Sequence, residues 1–180
     1  MIIFDTETTG LIIPGVRDSN KQPRIVEIAA IKVDGDFNII DRFETLINPQ
    51  CEIPEEAVKS HGLTLEHLRD APTFPLVRQA ITAFWLGEST VMAYNVAFDL
   101  GMLYWELKRI DYELRFPWCY TVVDAIQYRN GKRISLDKWS KEVLGPDYSP
   151  QTHRAMGDVE RLHNCWRHLM FERGAKQDCE

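Results

Sequence analysis

Apolar and polar positions along the chain fall into segments of two different periods. Ile2 to Asp5 is a short apolar run ending on a carboxylate, and Thr6 to Gly10 is polar, which predicts a buried strand feeding a turn. Arg24–Asp34 and Phe37–Ile47 are rich in apolar and β-branched residues, and the intervening Asp34-Gly35-Asp36 is a hairpin signal. After Pro54 the spacing turns helical. A short helix over Glu55–Ser60 closes at Gly62, and Thr64 caps a second at Leu65-Glu66. Apolar residues at 76, 77, 80, 81, 84 and 85 form a helical stripe over Pro75–Leu86. Val91–Tyr94 and Trp118–Thr121 read as short strands on either side of a helix over Ala97–Ile110. Ser135 caps a helix that stops at Gly145-Pro146, and a last helix over Ala155–Arg173 presents Val159, Leu162, Trp166, Leu169 and Met170 on one face.

This order predicts an α/β domain with a mixed sheet of about five strands, an antiparallel meander followed by parallel crossovers, flanked by helices. A single domain is expected over residues 1–173, with a short tail over 174–180. The segment Ile12–Pro23 is polar and rich in turn residues, a loop well beyond the usual length of roughly 4–6 residues.

Composition narrows the function classes. No run approaches the roughly 18 apolar residues of a membrane span. The N-terminus lacks the basic start of a secretory signal, and Cys51, Cys119, Cys165 and Cys179 are scattered without a CxxC pair. Together these predict a reduced, cytoplasmic protein with no membrane partner. The net charge of −6 disfavours an extended duplex-binding footprint. Two bound divalent cations would offset most of it and leave a short grip on one strand end.

Four carboxylates stand where solubility alone does not place them. Asp5 and Glu7 are two apart at a strand end, so their side chains leave on the same side. Asp99 lies in the first turn of one helix and Asp158 near the start of the last. Each helix position also suits a carboxylate through the helix dipole. Clustered at sheet edges, the four would repel one another unless cations neutralised them, and all-oxygen donors match hard ions such as Mg²⁺ or Mn²⁺. His153 precedes Asp158 by five residues, at the loop side of the same helix start, where a side chain titrating near neutral pH can take a proton from water.

The segments Asp5-Thr6-Glu7-Thr8-Thr9-Gly10-Leu11, Asn95-Val96-Ala97-Phe98-Asp99 and His153-x-Ala155-x-x-Asp158 resemble, in order, the three motifs of the DEDDh 3′–5′ exonucleases. That ribonuclease H-like family includes the proofreading subunit of bacterial replicative polymerase, ribonuclease T and oligoribonuclease. The resemblance extends through Arg24–Ala30, Ile47-Asn48-Pro49 and His61-Gly62-Leu63-Thr64. The tyrosine of the sister DEDDy group is replaced by Arg154, which indicates the histidine variant. Cys119, in a Cys119-Tyr120-Thr121 version of a family Cys-Thr pair, reads as core packing.

The resemblance implies a metal-dependent hydrolase that shortens a single-stranded 3′ end and releases 5′-mononucleotides. Asp5, Glu7 and Asp158 would hold a first ion, Asp5 and Asp99 a second, and His153 would act as general base. Thr8, Thr9, Gly10, Leu11, His61, Leu63, Asn95 and Phe98 are the implied substrate-binding residues. Asp-Thr-Glu-Thr in the first motif leans towards the proofreading-like branch and hence DNA, with a polymerase or repair protein as a conceivable partner. An RNA end-trimming enzyme is the alternative, and an inactive protein-binding module of the same fold a remote one. A separate expectation concerns the long loop: Arg17, Lys21 and Arg24 would bring it over the substrate channel to contact phosphates.

Overall fold

The computed structural model describes residues 1–112, 121–148 and 154–177. Five strands form one sheet: β1 (Ile2–Thr8), β2 (Ile25–Val33), β3 (Ile39–Leu46), β4 (Thr90–Ala93) and β5 (Thr121–Asp124). Their order is β3-β2-β1-β4-β5, antiparallel across β3, β2 and β1 and parallel from β1 through β4 to β5. The mixed sheet expected from the sequence is present. Central β1 and β2 are buried on both faces, which accounts for their near-continuous apolar runs.

Helices cover both faces. The first apolar layer holds Ile2, Phe4, Ile28 and Val91 against α3 (Phe74–Trp85) and α4 (Val96–Arg109). Phe4 and Trp85 meet edge to face with centroids 5.5 Å apart. The opposite layer holds Ile3, Ile31 and Met92 against Trp139 of α5 (Leu136–Leu144) and Val159 and Leu162 of α6 (Ala155–Gln177). Two short helices, α1 (Glu55–His61) and α2 (Leu65–Leu68), follow β3. Gly62 ends α1 at φ 75° and Thr64 caps α2, as the sequence predicted, and the His67 side chain completes a capping box there.

The structure corrects several boundaries. β1 continues through Thr8 because Glu7 and Thr8 remain paired with β2, so the second carboxylate lies inside the strand instead of in a turn. The fifth strand begins at Thr121; positions 118–120 of the expected strand, with Cys119, lie outside the described residues. α6 runs on to Gln177 through the segment read as a tail. A small hairpin, β6 (Tyr128–Arg129) and β7 (Lys132–Arg133), was not expected. Its turn residues Asn130 and Gly131 have φ of 52° and 74°, the left-handed pair that an Asn-Gly hairpin turn requires.

Candidate active site

Strand alternation distributes the site between the two faces of the sheet. Asp5 and Glu7 share the face of Ile3, towards α6, whereas Thr6 shares the face of Phe4, towards α4. Asp158, in the first turn of α6, meets the first pair: carboxylate oxygens of Asp5, Glu7 and Asp158 all lie within 4.8 Å of one another. Asp99 reaches the same cleft from α4, where its Oδ1 accepts hydrogen bonds from the Thr6 amide (3.1 Å) and the Thr6 hydroxyl (2.7 Å). His153 lies outside the described residues.

The electrostatics are those of an acidic cluster in which Asp158 pairs with Arg161 at 3.4 Å. Burial, then the charges of Asp99, Asp158, Glu7 and Glu27, raise the Asp5 carboxyl well above its usual range. Burial and the charge of Asp158 push Glu7 up to about 8. Asp99 is pushed up to about 7 by burial, against the opposing Thr6 hydrogen bonds and the charge of Arg133. The three converging carboxylates, of which Asp5 and Glu7 are costly to ionise alone, form an oxygen-only donor set, which fits a hard divalent cation. The residues present fit the ions expected from the sequence.

Glu27 was missed by sequence reasoning. It lies in the middle of β2, fully buried and paired in register with Glu7. A buried carboxylate needs a partner, and Arg154 supplies one: its Nε lies 3.0 and 2.9 Å from the two Glu27 oxygens, and its Nη2 also bonds Oε1. Glu27 Oε2 further accepts the Ala155 amide at 3.0 Å. The start of α6, one turn before Asp158, is thereby fixed to the sheet. A charged residue inside the apolar run Ile25–Val33 is the signal that could have exposed it.

Two adjoining clefts surround the carboxylates. One, about 380 Å³, is lined by Asp5, Glu7, Asp99 and Asp158 together with Asn95 and Arg133. The other, about 550 Å³, is enclosed by the Thr8–Leu11 turn, by Pro54, Ala57 and His61 beside and within α1, and by Phe98. Both volumes fall in the range of small-molecule sites, roughly 300–1,000 Å³. Leu11, 80% exposed, stands where the two clefts join. Burial lowers the pKa of His61, which favours its neutral ring; Nδ1 accepts the Leu63 amide, so Nε2 carries the proton. That nitrogen lies near the Thr8 backbone, with no hydrogen bond of standard geometry among the described residues.

The remaining candidates separate into wall and scaffold. Thr8 donates its hydroxyl to the Gly10 carbonyl, and Thr9 exchanges hydrogen bonds with the Arg24 backbone, so both hydroxyls shape the turn. Leu63 does not face the clefts as expected. It is buried with Val26 and Leu68, because the Gly62 turn directs it under the sheet. The long loop also departs from expectation. Ile12 packs against Gly101, the Gln22 amide ties Ile13 to Val16, and Arg109 binds the carbonyls of Ser19, Gln22 and Pro23. Arg17 lies beside Lys108, nine residues along α4 from Asp99, or about 13 Å at the helical rise. From Arg17 onwards the loop is fastened to the far end of α4, away from the carboxylates, because its polar groups find partners there.

A fold of this kind with converging carboxylates at a strand end defines a class, and the comparisons agree. The ribonuclease T model, described as an exonuclease family, matches residues 2–164. The chain therefore belongs to the exonuclease family and is a 3′–5′ exonuclease by chemistry. It is 34% identical over 166 residues to the DNA polymerase III subunit epsilon of Rickettsia prowazekii, covering 89% of this chain and 69% of that protein. It is 31% identical over 164 residues to the PolC-type DNA polymerase III of Staphylococcus haemolyticus, covering 88% of this chain but 10% of that protein. Among solved structures, an E. coli ExoI–ssDNA complex superposes with a TM-score of 0.77 at 19% identity, over 98% of this chain and 41% of that one. The nuclease domain of 3′hExo, a DEDDh family member bound to rAMP, does so with 0.73 at 14%, over 95% and 91%. No helix among the described residues is long and apolar enough to cross a membrane.

Proposed function

We propose that this protein removes nucleotides one at a time from the 3′ end of single-stranded DNA, releasing 5′-mononucleotides, with two Mg²⁺ or Mn²⁺ ions. The observation that carries this reading is the junction of the Asp5–Glu7–Asp158 cluster with a nucleotide-sized cleft. In it, Asp5, Glu7 and Asp158 would hold one ion and Asp5 and Asp99 the other. The bound ions supply charge stabilisation at the attacking and leaving oxygens. The Thr8–Leu11 turn, His61 and Phe98 seat the terminal nucleoside, with Asn95 beside the scissile phosphate. His153 takes the proton of the attacking water, as its place in the third motif implies.

DNA as substrate is supported by the relatives named as DNA polymerase III components and by the ssDNA-bound ExoI structures. The same relatives support work beside a polymerase. RNA is the second reading, favoured by the likeness to a 3′-exonuclease bound to a histone mRNA stem-loop. The test is cleavage of 5′-labelled single-stranded DNA, duplex DNA and RNA with either ion, beside Asp5→Ala and His153→Ala. A single-nucleotide ladder on DNA that needs metal and Asp5 supports the reading. Internal fragments, or cleavage that survives EDTA, would remove it, and faster shortening of RNA transfers it to the alternative.

A further inference from the structure

The β6–β7 hairpin is a concentrated basic element on an acidic protein. Tyr128 to Arg133 contains Arg129, Lys132 and Arg133 and no acid, against a net charge of −6 for the whole chain. Arg129 is engaged by Glu142 at 3.0 Å; Lys132 makes no ion pair among the described residues. The hairpin register pairs Tyr128 with Arg133, so their side chains stand on the same face. Arg133 lines the carboxylate cleft, which turns that face towards the site. Tyr128 keeps 58% of its surface exposed, and its ring has no aromatic, cationic or hydrogen-bonding partner among the described residues. The base of the hairpin is rigid. Tyr94 donates its hydroxyl to the Ile134 carbonyl at 2.6 Å, stacks on Trp139, and lies under the Arg133 guanidinium, 5.9 Å from its ring centre.

The path of a strand follows from the two clefts. They share Thr6, Glu7, Leu11, Ser60 and Phe98, whereas Arg133, Tyr94 and Asp158 line only the carboxylate cleft and His61 only the other. With the terminal nucleoside beside His61 and the scissile phosphate at the carboxylates, the rest of the strand leaves on the Arg133 side.

We propose that the Tyr128–Arg133 pair grips the strand on the 5′ side of the scissile phosphate, Tyr128 stacking on a base and Arg133 holding a phosphate. This rests on the exonuclease reading above and adds to it a specificity for substrate longer than one nucleotide. An aromatic face and a guanidinium side by side fit any single-stranded sequence, since every base presents a stacking surface and every link a phosphate.

The test compares a short oligo(dT) with the p-nitrophenyl ester of thymidine 5′-monophosphate, which has no upstream base or phosphate to grip. In Tyr128→Ala and in Arg133→Ala, the ratio of kcat/KM for the oligonucleotide to that for the ester should fall by about tenfold or more, mainly through KM. Arg133→Ala should also flatten the dependence of log(1/KM) on log salt by about 0.7 for the oligonucleotide. Tyr128→Phe and Arg133→Lys, which keep the ring and the charge, should recover most of the ratio. Equal losses on both substrates, or an unchanged ratio, overturn the inference while leaving the exonuclease reading in place. Wild-type protein that cleaves neither substrate with metal overturns both.

Discussion

Arg154 closes on Glu27 across the interior of the site, a guanidinium from the start of α6 held by both oxygens of a carboxylate buried in β2. Removing the arginine leaves a fully buried negative charge next to Glu7. Arg154→Met should destabilise the protein by about 3 kcal/mol, the low end for breaking a buried pair, because Arg154 keeps about a third of its side chain in water. Glu27→Gln should cost less, since the freed arginine can turn outward. Urea unfolding of the two variants and their double mutant measures this. A double mutant as unstable as the sum of the singles would mean that the two side chains act independently.

The acidic cluster makes metal-free stability depend on pH. Carboxyls whose folded pKa is raised favour folding most fully below their unfolded value, 4.5 for Glu7, and lose that contribution as pH rises through about 7 for Asp99 and 8 for Glu7. The Tm of protein in EDTA should therefore fall by several degrees between about pH 5 and 8. Saturating Mn²⁺ should abolish the fall. At a hundredfold excess over Kd the ion contributes about 2.7 kcal/mol, or roughly 5–10 °C for a chain of this size. Asp5→Asn should be more stable than wild type in EDTA near neutral pH and should show little response to Mn²⁺. Scanning calorimetry across pH decides it, and a wild-type Tm that rises with pH in EDTA would contradict the assignment.

Thr6 orients Asp99 with both its amide and its hydroxyl. Thr6→Val keeps the shape and removes the hydroxyl, and activity should drop about 10–100-fold, as for other residues that orient a ligand. Hydrogen bonds to the ionised form lower a carboxyl pKa, so their loss should move the acid limb of the rate profile to higher pH. Thr6→Ser should restore both rate and profile. A Thr6→Ser variant as poor as Thr6→Val would show that the methyl group, not the hydroxyl, matters.

The loop after Leu11 separates two roles that the sequence left merged. Arg17→Ala with Lys21→Ala should leave KM and its salt dependence unchanged, because this part of the loop rests against the end of α4. Gln22→Ala strips partners from Ile13 and Val16 and should cost about 1–3 kcal/mol. Limited trypsin digestion, read at Arg17 and Lys21, should show faster cutting in that variant alone.

Much of this was legible in the chain because it depends on local pattern. The apolar runs of β1 and β2, the capping Thr64 and Ser135, and the Gly62 stop each announced an element. The four carboxylates were found because their places in strand and helix were readable and the ordered motifs are specific. Glu27, the anchoring of Gln22 and the burial of Leu63 were not, since each depends on a partner distant in sequence. Asn130-Gly131 was a local signal, and the two-residue strands around it are too short to show a period.

The alternation of β1 also makes the site a report on strand alignment. Asp5 and Glu7 look towards α6 and Thr6 towards α4 only while Ile2 lies opposite Lys32 and the irregularity falls between Glu7 and Thr8. A slip by one residue would present threonines to Asp158 and carboxylates to Asp99. Cation binding is thus a privilege of the correctly aligned chain. An insertion within β1 should abolish it.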